Sequence, residues 1–240
     1  MVDVVATIIS ILSLLATLVV SGVGSWAVFY RDDRHHAREA EAIREKYAAP
    51  LLLAAQELQA KLRRFVRDGD ICTWIGEHAA RREYLLRYTC FVTGEFLAWI
   101  HILRHEVQYL RFSTDRQNRN LTNILGDIRE TLRGHSSHSD YIPCVLYTGE
   151  QRAIGELMTV EENGRRVCIG YAAFCQMWKD NEALRGWFER FLKDLVDLAE
   201  ARTNGNGKAV VKDDRLRIVQ HLLVDLIEEL DPKGLSSTIA

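Results

Sequence analysis

The sequence predicts a mostly α-helical protein: a single N-terminal transmembrane helix followed by a cytoplasmic helical-bundle domain with a small β-hairpin insertion. Three observations lead to this fold class. Residues 4–30 carry no charged side chain, apolar residues recur at alternating three- and four-residue spacings through most of the remaining chain, and Asn163-Gly164 separates two β-prone segments. The chain divides into a transmembrane signal-anchor helix (1–30), a charged juxtamembrane helix (31–47), a cytoplasmic helical domain (48–232) and a flexible tail (233–240).

The uncharged segment is predicted to cross a lipid bilayer once. As a helix it would be roughly 40 Å long, which exceeds the roughly 30 Å thickness of the hydrocarbon core. A cleaved signal peptide is the competing interpretation, but no Lys or Arg precedes the segment, and its apolar run is longer than a signal-peptide core. Residues typical of an interfacial anchor end the span: Trp26, Phe29, Tyr30, Arg31 and Arg34.

The charges that flank the span predict its orientation. Several Lys and Arg residues lie between positions 31 and 46, and none precedes the span. The positive-inside rule therefore places the N-terminus outside the cell membrane and the helical domain in the cytoplasm. The sequence contains 5 cysteines without CxxC pairing, which is typical of free thiols in a reducing compartment.

Hydroxyl-bearing residues recur every four positions along the span. Small residues at this spacing allow helix backbones to approach closely in lipid, and their hydroxyl groups can form hydrogen bonds across the contact. Self-association into a homo-oligomer is one interpretation, and the ordinary abundance of small residues in transmembrane helices is the other. The predicted oligomerisation face consists of Ser13, Thr17, Ser21 and Ser25.

Five longer helices are predicted in the domain, near residues 48–67, 77–112, 117–133, 181–202 and 213–230. Pro50 is expected to break or kink the chain that enters the first of them. The second is apolar enough to raise the question of another membrane span over residues 88–103. Glu95 at its centre favours a buried core helix instead, in which the carboxylate would need a partner.

Residues 144–171 interrupt the helical pattern. Residues 144–148 form a short segment of β-prone residues. Residues 149–158 are predicted to form one or two helical turns. Asn163-Gly164 is a strong hairpin signal because both residues accept a positive φ, so we expect a small β element around it.

The polar group of Glu150, Arg152 and Glu156 is the candidate ligand-binding site. A carboxylate there would serve as an acid or base and Arg152 would bind an anion. The structural alternative is that these residues cap the short helix and pair with Arg152. His101 and His105 lie four apart on a predicted helix, which suits metal ligands, but packed or solvated histidines are the more usual interpretation.

No motif in the sequence supports a particular enzyme class. GxGxxG, P-loop, GxSxG and paired CxxC patterns do not occur, and we predict no catalytic residue, cofactor or metal. The net charge of −2, without a basic stripe interleaved with aromatic residues, disfavours nucleic acid as a partner.

Residues 149–158, followed by residues 169–174, resemble a segment of an uncharacterised group of single-span bacterial membrane proteins that carry a GEQRAIGE-like stretch. The similarity extends from about Tyr47 to Pro232 and implies a shared fold, but no activity to transfer. The sequence departs from that group at residues 146–148, where Leu-Tyr-Thr stands in place of a more basic stretch. A function that depends on those basic residues is therefore in doubt here.

These observations lead to three functional hypotheses. The first is a non-enzymatic assembly or adaptor module on the membrane, with an unknown protein partner and possible self-association through the span. The second is a membrane-tethered enzyme or ligand sensor with its site around Arg152. The third is an oligomeric pore lined by the hydroxyl face of the span.

Overall fold

The computed structural model describes residues 46–68, 79–108, 116–134, 143–204 and 213–232. The predicted transmembrane helix, with its oligomerisation face and interfacial anchors, lies outside these ranges, as do the C-terminal tail and all but the end of the juxtamembrane segment. No helix within the described ranges is both long and apolar enough to span a membrane.

The described residues are mostly helical with one two-stranded antiparallel hairpin, as predicted. Helix α1 covers residues 46–63 and continues as a π-helical turn at Arg64–Asp68. The other elements are α2 (Ala79–Gln108), α3 (Arg116–Arg133), α4 (Thr148–Leu157), β1 (Thr159–Glu162), β2 (Arg165–Cys168), α5 (Tyr171–Asp180), α6 (Glu182–Asn204) and α7 (Asp214–Leu230).

Helix α2 lies at the centre of the domain because apolar side chains cover most of its surface. It packs against α4, α5, α6 and both strands. Helix α1 reaches it through Tyr47, whose ring centroid is 6.5 Å from that of Trp99. The apolar residues of α1 that recur every three or four positions are buried: Leu51, Ala55, Leu58, Leu62 and Phe65. The predicted break at Pro50 is not found, since residues 46–63 are continuously helical.

Helices α3 and α7 form a second packed pair. Arg215, which belongs to α7, connects this pair to the segment between α3 and α4. The Arg215 side chain is only 6% exposed. Its Nε donates a hydrogen bond to the Thr131 carbonyl oxygen (2.9 Å) and its Nη1 donates one to the Pro143 carbonyl oxygen (2.7 Å). Gly134 ends α3 with a φ of 70°, the left-handed conformation typical of the residue that follows a helix.

Residues 144–148, which are β-prone in sequence, form no strand. Cys144 has a φ of 65°, and its N–H donates a hydrogen bond to Asp194 Oδ2 at 2.6 Å. The N–H of Leu146 donates to the Leu132 carbonyl oxygen at 2.9 Å. These backbone donors are bonded to a side chain and a helix C-terminus instead of a second strand, and Thr148 already belongs to α4.

The predicted hairpin is confirmed. Strands β1 and β2 pair antiparallel from Thr159 opposite Cys168 to Glu162 opposite Arg165. Asn163 and Gly164 connect them with φ values of 51° and 72°, as expected of a type I′ turn.

Helix α5 was missed by the sequence analysis, although its aromatic residues follow a helical spacing. Tyr171, Phe174 and Trp178 continue an aromatic cluster that begins on α2. Asn181 then caps α6, because its side-chain oxygen accepts a hydrogen bond from the Leu184 N–H at 3.1 Å. Trp187 of α6 is 38% exposed, whereas the other large apolar residues on its stripe are buried: Leu184, Phe188, Phe191, Leu195 and Leu198.

Glu95 does lie at the middle of a core helix, but it has no hydrogen-bond or ion-pair partner among the described residues. Its side chain is only partly buried. Burial, and then the nearby charge of Glu57, raise the pKa of the Glu95 carboxyl to about 7. The Glu95 carboxyl therefore needs no partner, because it is partly exposed to solvent and its raised pKa favours the neutral form.

The four cysteines in the described ranges are free thiols. Burial raises the pKa of Cys90 and of Cys144 well above the usual thiol value. Burial, and then the charge of Glu95, raise the pKa of Cys168 to about 12. These three side chains therefore stay neutral and poorly nucleophilic near neutral pH.

Candidate functional site

A cleft of about 250 Å³ opens where residues from α2, α3 and α4 meet. It joins two features that the sequence analysis treated separately, the histidine pair of α2 and the polar group of α4. Its lining consists of Leu97, Ile100, His101, Arg104, His105, Arg129, Gln151, Arg152 and Glu156.

The absence of a side chain at Gly155 allows α4 to lie directly against α2. An added Cβ atom at Gly155 would be 2.9 Å from the Leu97 carbonyl oxygen and 3.0 Å from the His101 Cβ atom. This close approach puts Arg152 and Glu156, which flank Gly155 on α4, beside His101 in the cleft.

Only two of the three predicted site residues lie in the cleft. Arg152 and Glu156 line the cleft, whereas Glu150 does not. The Glu150 Oε2 atom accepts a hydrogen bond from the Tyr147 N–H at 2.7 Å, so this residue caps α4 as the structural alternative expected. Neither Arg152 nor Glu156 forms an ion pair among the described residues, and the expected pairing between them is therefore absent there.

Gln151 fixes α3 relative to α4 and was missed by the sequence analysis. Its side chain is 4% exposed, and its Nε2 donates hydrogen bonds to the carbonyl oxygens of Arg129 (3.0 Å) and Leu146 (2.7 Å). These two acceptors determine the orientation of the amide. The link holds the backbone of Arg129 against α4, which brings its guanidinium group to the same cleft as Arg152.

Positive charge dominates the cleft. Burial, and then the charges of Arg104 and Arg152, lower the pKa of Arg129. Arginine nevertheless stays protonated in proteins, so all three cations persist. None of the three has a hydrogen-bond or ion-pair partner among the described residues. Among the described residues that line the cleft, Glu156 is the one carboxylate, so their net charge is two positive when both histidines are neutral.

The two histidines form one wall of the cleft, with ring centroids 4.7 Å apart. Their spacing therefore does place both rings on one face of α2. Burial, and then the neighbouring His105, lower the pKa of His101, while Glu156 opposes this effect. No group of three His, Cys, Asp or Glu side chains that could hold a metal ion occurs in the part of the chain that the structure describes.

Arg104 and Arg129 are the cleft residues that the sequence analysis did not single out. Arg104 lies three positions after His101, a spacing that places both on one face of α2, so this residue could have been found. Arg129 could not, because its place in the cleft depends on how α3 packs against α4.

Comparison with known proteins gives no further identification. No protein-family model, curated protein or solved structure matches this chain. The resemblance to the single-span bacterial proteins stays a prediction, and the interpretation of the cleft rests on its own residues.

Proposed function

We propose that this protein is a membrane-anchored helical module that senses a small anionic ligand in the cleft formed by Arg104, Arg129 and Arg152. The observation that supports this function is the presence in one concave site of three guanidinium groups that have no hydrogen-bond or ion-pair partner among the described residues. Guanidinium groups form strong, directional hydrogen bonds with anionic oxygens. A bound anion would also relieve the mutual repulsion of the three cations.

Sensing is favoured over catalysis because of the chemistry of the lining. Arginine binds and orients anions but does not exchange protons near neutral pH. His101 and Glu156 add polar contacts to a site whose main property is its positive charge. The function proposed is therefore ligand binding, with the bound state passed to a protein partner.

The membrane part of the proposal rests on the uncharged segment at residues 4–30 and the cations that follow it. The sensing domain would then lie in the cytoplasm. An assembly or adaptor role is compatible with ligand binding, and the regular Ser and Thr spacing of the span supports self-association as its mechanism.

Calorimetric titration of sulfate into the full-length protein in phosphatidylcholine nanodiscs tests the proposal. We expect saturable binding that Arg152→Gln weakens about tenfold, since a charge-assisted hydrogen bond contributes roughly 1.5–3 kcal/mol. Arg119→Gln is the matched control, because Arg119 is an exposed arginine of α3 that does not line the cleft. Equal affinity of the two variants, or no binding to the wild-type protein, would contradict the proposal.

A further inference from the structure

We propose that the ligand of the cleft is a small phosphate monoester, bound as its dianion by Arg104, Arg129 and Arg152. This inference rests on the proposed function and specifies the chemistry of the anion. Three properties of the cleft support it: the number of helices that supply its cations, its excess charge and its size.

The three guanidinium groups come from three different helices. Arg104 belongs to α2, Arg129 to α3 and Arg152 to α4, so three separate helices each contribute one guanidinium group to the lining. A phosphate monoester presents three terminal oxygens that diverge from one phosphorus atom, whereas a carboxylate presents two oxygens in one plane. Three helices that each contribute one arginine therefore favour the binding of one arginine to each terminal oxygen of the phosphate.

The excess charge of the cleft matches a dianion. Among the described residues of the lining, three cations and the Glu156 carboxylate leave two positive charges uncompensated when the histidines are neutral. A phosphate monoester carries a charge of about −1.5 to −2 near neutral pH. Binding of such a group neutralises the site, while a monocarboxylate leaves one uncompensated charge in a partly buried position.

The size of the cleft limits what the phosphate is attached to. Its volume of about 250 Å³ is smaller than the roughly 300–1,000 Å³ of sites that enclose drug-sized ligands. A phosphate group with a short polar substituent fills this space, and any larger part of the molecule must remain outside the cleft. Both a soluble phosphate monoester and the headgroup of a phosphatidic acid meet this requirement.

The experiment compares anions of different shape on the full-length protein in phosphatidylcholine nanodiscs. Titration calorimetry is carried out with inorganic phosphate, glycerol phosphate, sulfate and succinate. We expect both phosphate compounds to bind at least about tenfold more tightly than succinate, because only the tetrahedral anions offer an oxygen to each guanidinium group. Equal binding of succinate and glycerol phosphate would overturn the phosphate assignment and leave anion sensing intact. Binding of none of the four anions would overturn the proposed function itself.

Lysine variants test whether the planar donor geometry of the guanidinium groups contributes to binding in addition to their positive charge. Arg129→Lys and Arg152→Lys keep a cation but lose the planar pair of donors, so each should weaken glycerol phosphate binding about tenfold. Arg152 is exposed, and its substitution leaves the domain folded even if the half-buried Arg129 does not tolerate change. Arg119→Lys is the control and should bind as the wild type does. Unchanged affinity in Arg152→Lys would overturn the proposed contact.

Nanodiscs that contain phosphatidic acid distinguish the two sources of the phosphate group. If the headgroup occupies the cleft, glycerol phosphate should bind more weakly in these nanodiscs than in pure phosphatidylcholine, and Arg152→Lys should remove that competition. Unchanged glycerol phosphate binding would assign the site to a soluble phosphate monoester.

Discussion

Replacement of Glu95 by glutamine should make the stability of the domain less sensitive to pH. Glu95 lies partly buried at the middle of α2 without a partner among the described residues. The pKa of its carboxyl is raised from 4.5 to about 7, by burial first and by Glu57 second. The folded protein therefore favours the protonated, neutral carboxyl, which glutamine resembles in shape and charge.

The sign and size of the effect follow from this pKa difference. Because the pKa is raised in the folded state, the stabilisation is fully present below about pH 4.5 and is lost as the pH rises to about 7. At about 1.4 kcal/mol per pH unit, the whole difference gives an upper limit of roughly 3 kcal/mol. Solvent screening of a partly exposed group reduces this limit to about 1–2 kcal/mol.

Urea unfolding of the full-length protein, followed by tryptophan fluorescence, measures the effect. Glu95→Gln should be about as stable as the wild type near pH 4.5 and about 1–2 kcal/mol more stable near pH 8. Glu189→Gln on the exposed surface of α6 is the control and should change neither value. A Glu95→Gln difference that stays constant between these two pH values would refute the reasoning.

Four further substitutions test the packing and the cleft. Gly155→Ala should lower the free energy of unfolding by about 1–3 kcal/mol, since its methyl group would lie 2.9 Å from the Leu97 carbonyl oxygen. Gly186→Ala should instead raise it by up to about 1 kcal/mol in the same urea titration, because no described residue outside the adjoining backbone of its own helix has an atom within 4 Å of the added Cβ. Arg215→Met should cost about 3 kcal/mol in thermal unfolding, because two partly buried carbonyl groups lose their donor. No loss of stability would contradict that role. Arg129→Gln should raise the free energy of unfolding of the ligand-free protein by about 1 kcal/mol once solvent screening is allowed for, and should weaken sulfate binding in calorimetry. A loss of both stability and sulfate binding would indicate a purely structural arginine.

Local sequence patterns predicted much of the fold. The hairpin depends on two adjacent residues that accept positive φ values, and Asn163 and Gly164 indicate it without reference to the rest of the chain. Helices α3, α6 and α7 have a clear apolar stripe with capping or stop residues at their ends. The β-prone residues 144–148 form no strand because the backbone donors of Cys144 and Leu146 bond to Asp194 and Leu132, which are distant in sequence.

The candidate site was only partly predictable, because it depends on which helices pack together. Arg152 and Glu156 were visible as a dense polar group, and Glu150 was grouped with them because sequence spacing does not distinguish a helix cap from a ligand contact. Arg129 joins the cleft through the hydrogen bond between Gln151 and the Arg129 carbonyl oxygen. Such a contact between residues far apart in the sequence has no local signal.

The most direct test of the central claim is the binding of inorganic phosphate to the full-length protein and to an Arg104→Gln/Arg152→Gln double variant. Both arginines are exposed, so their replacement removes positive charge from the cleft without disturbing the core. Anion sensing predicts saturable heat of binding for the wild type and its loss in the double variant, with unchanged circular dichroism. Equal binding by both proteins, or no binding by the wild type, would contradict the claim that this cleft recognises an anion.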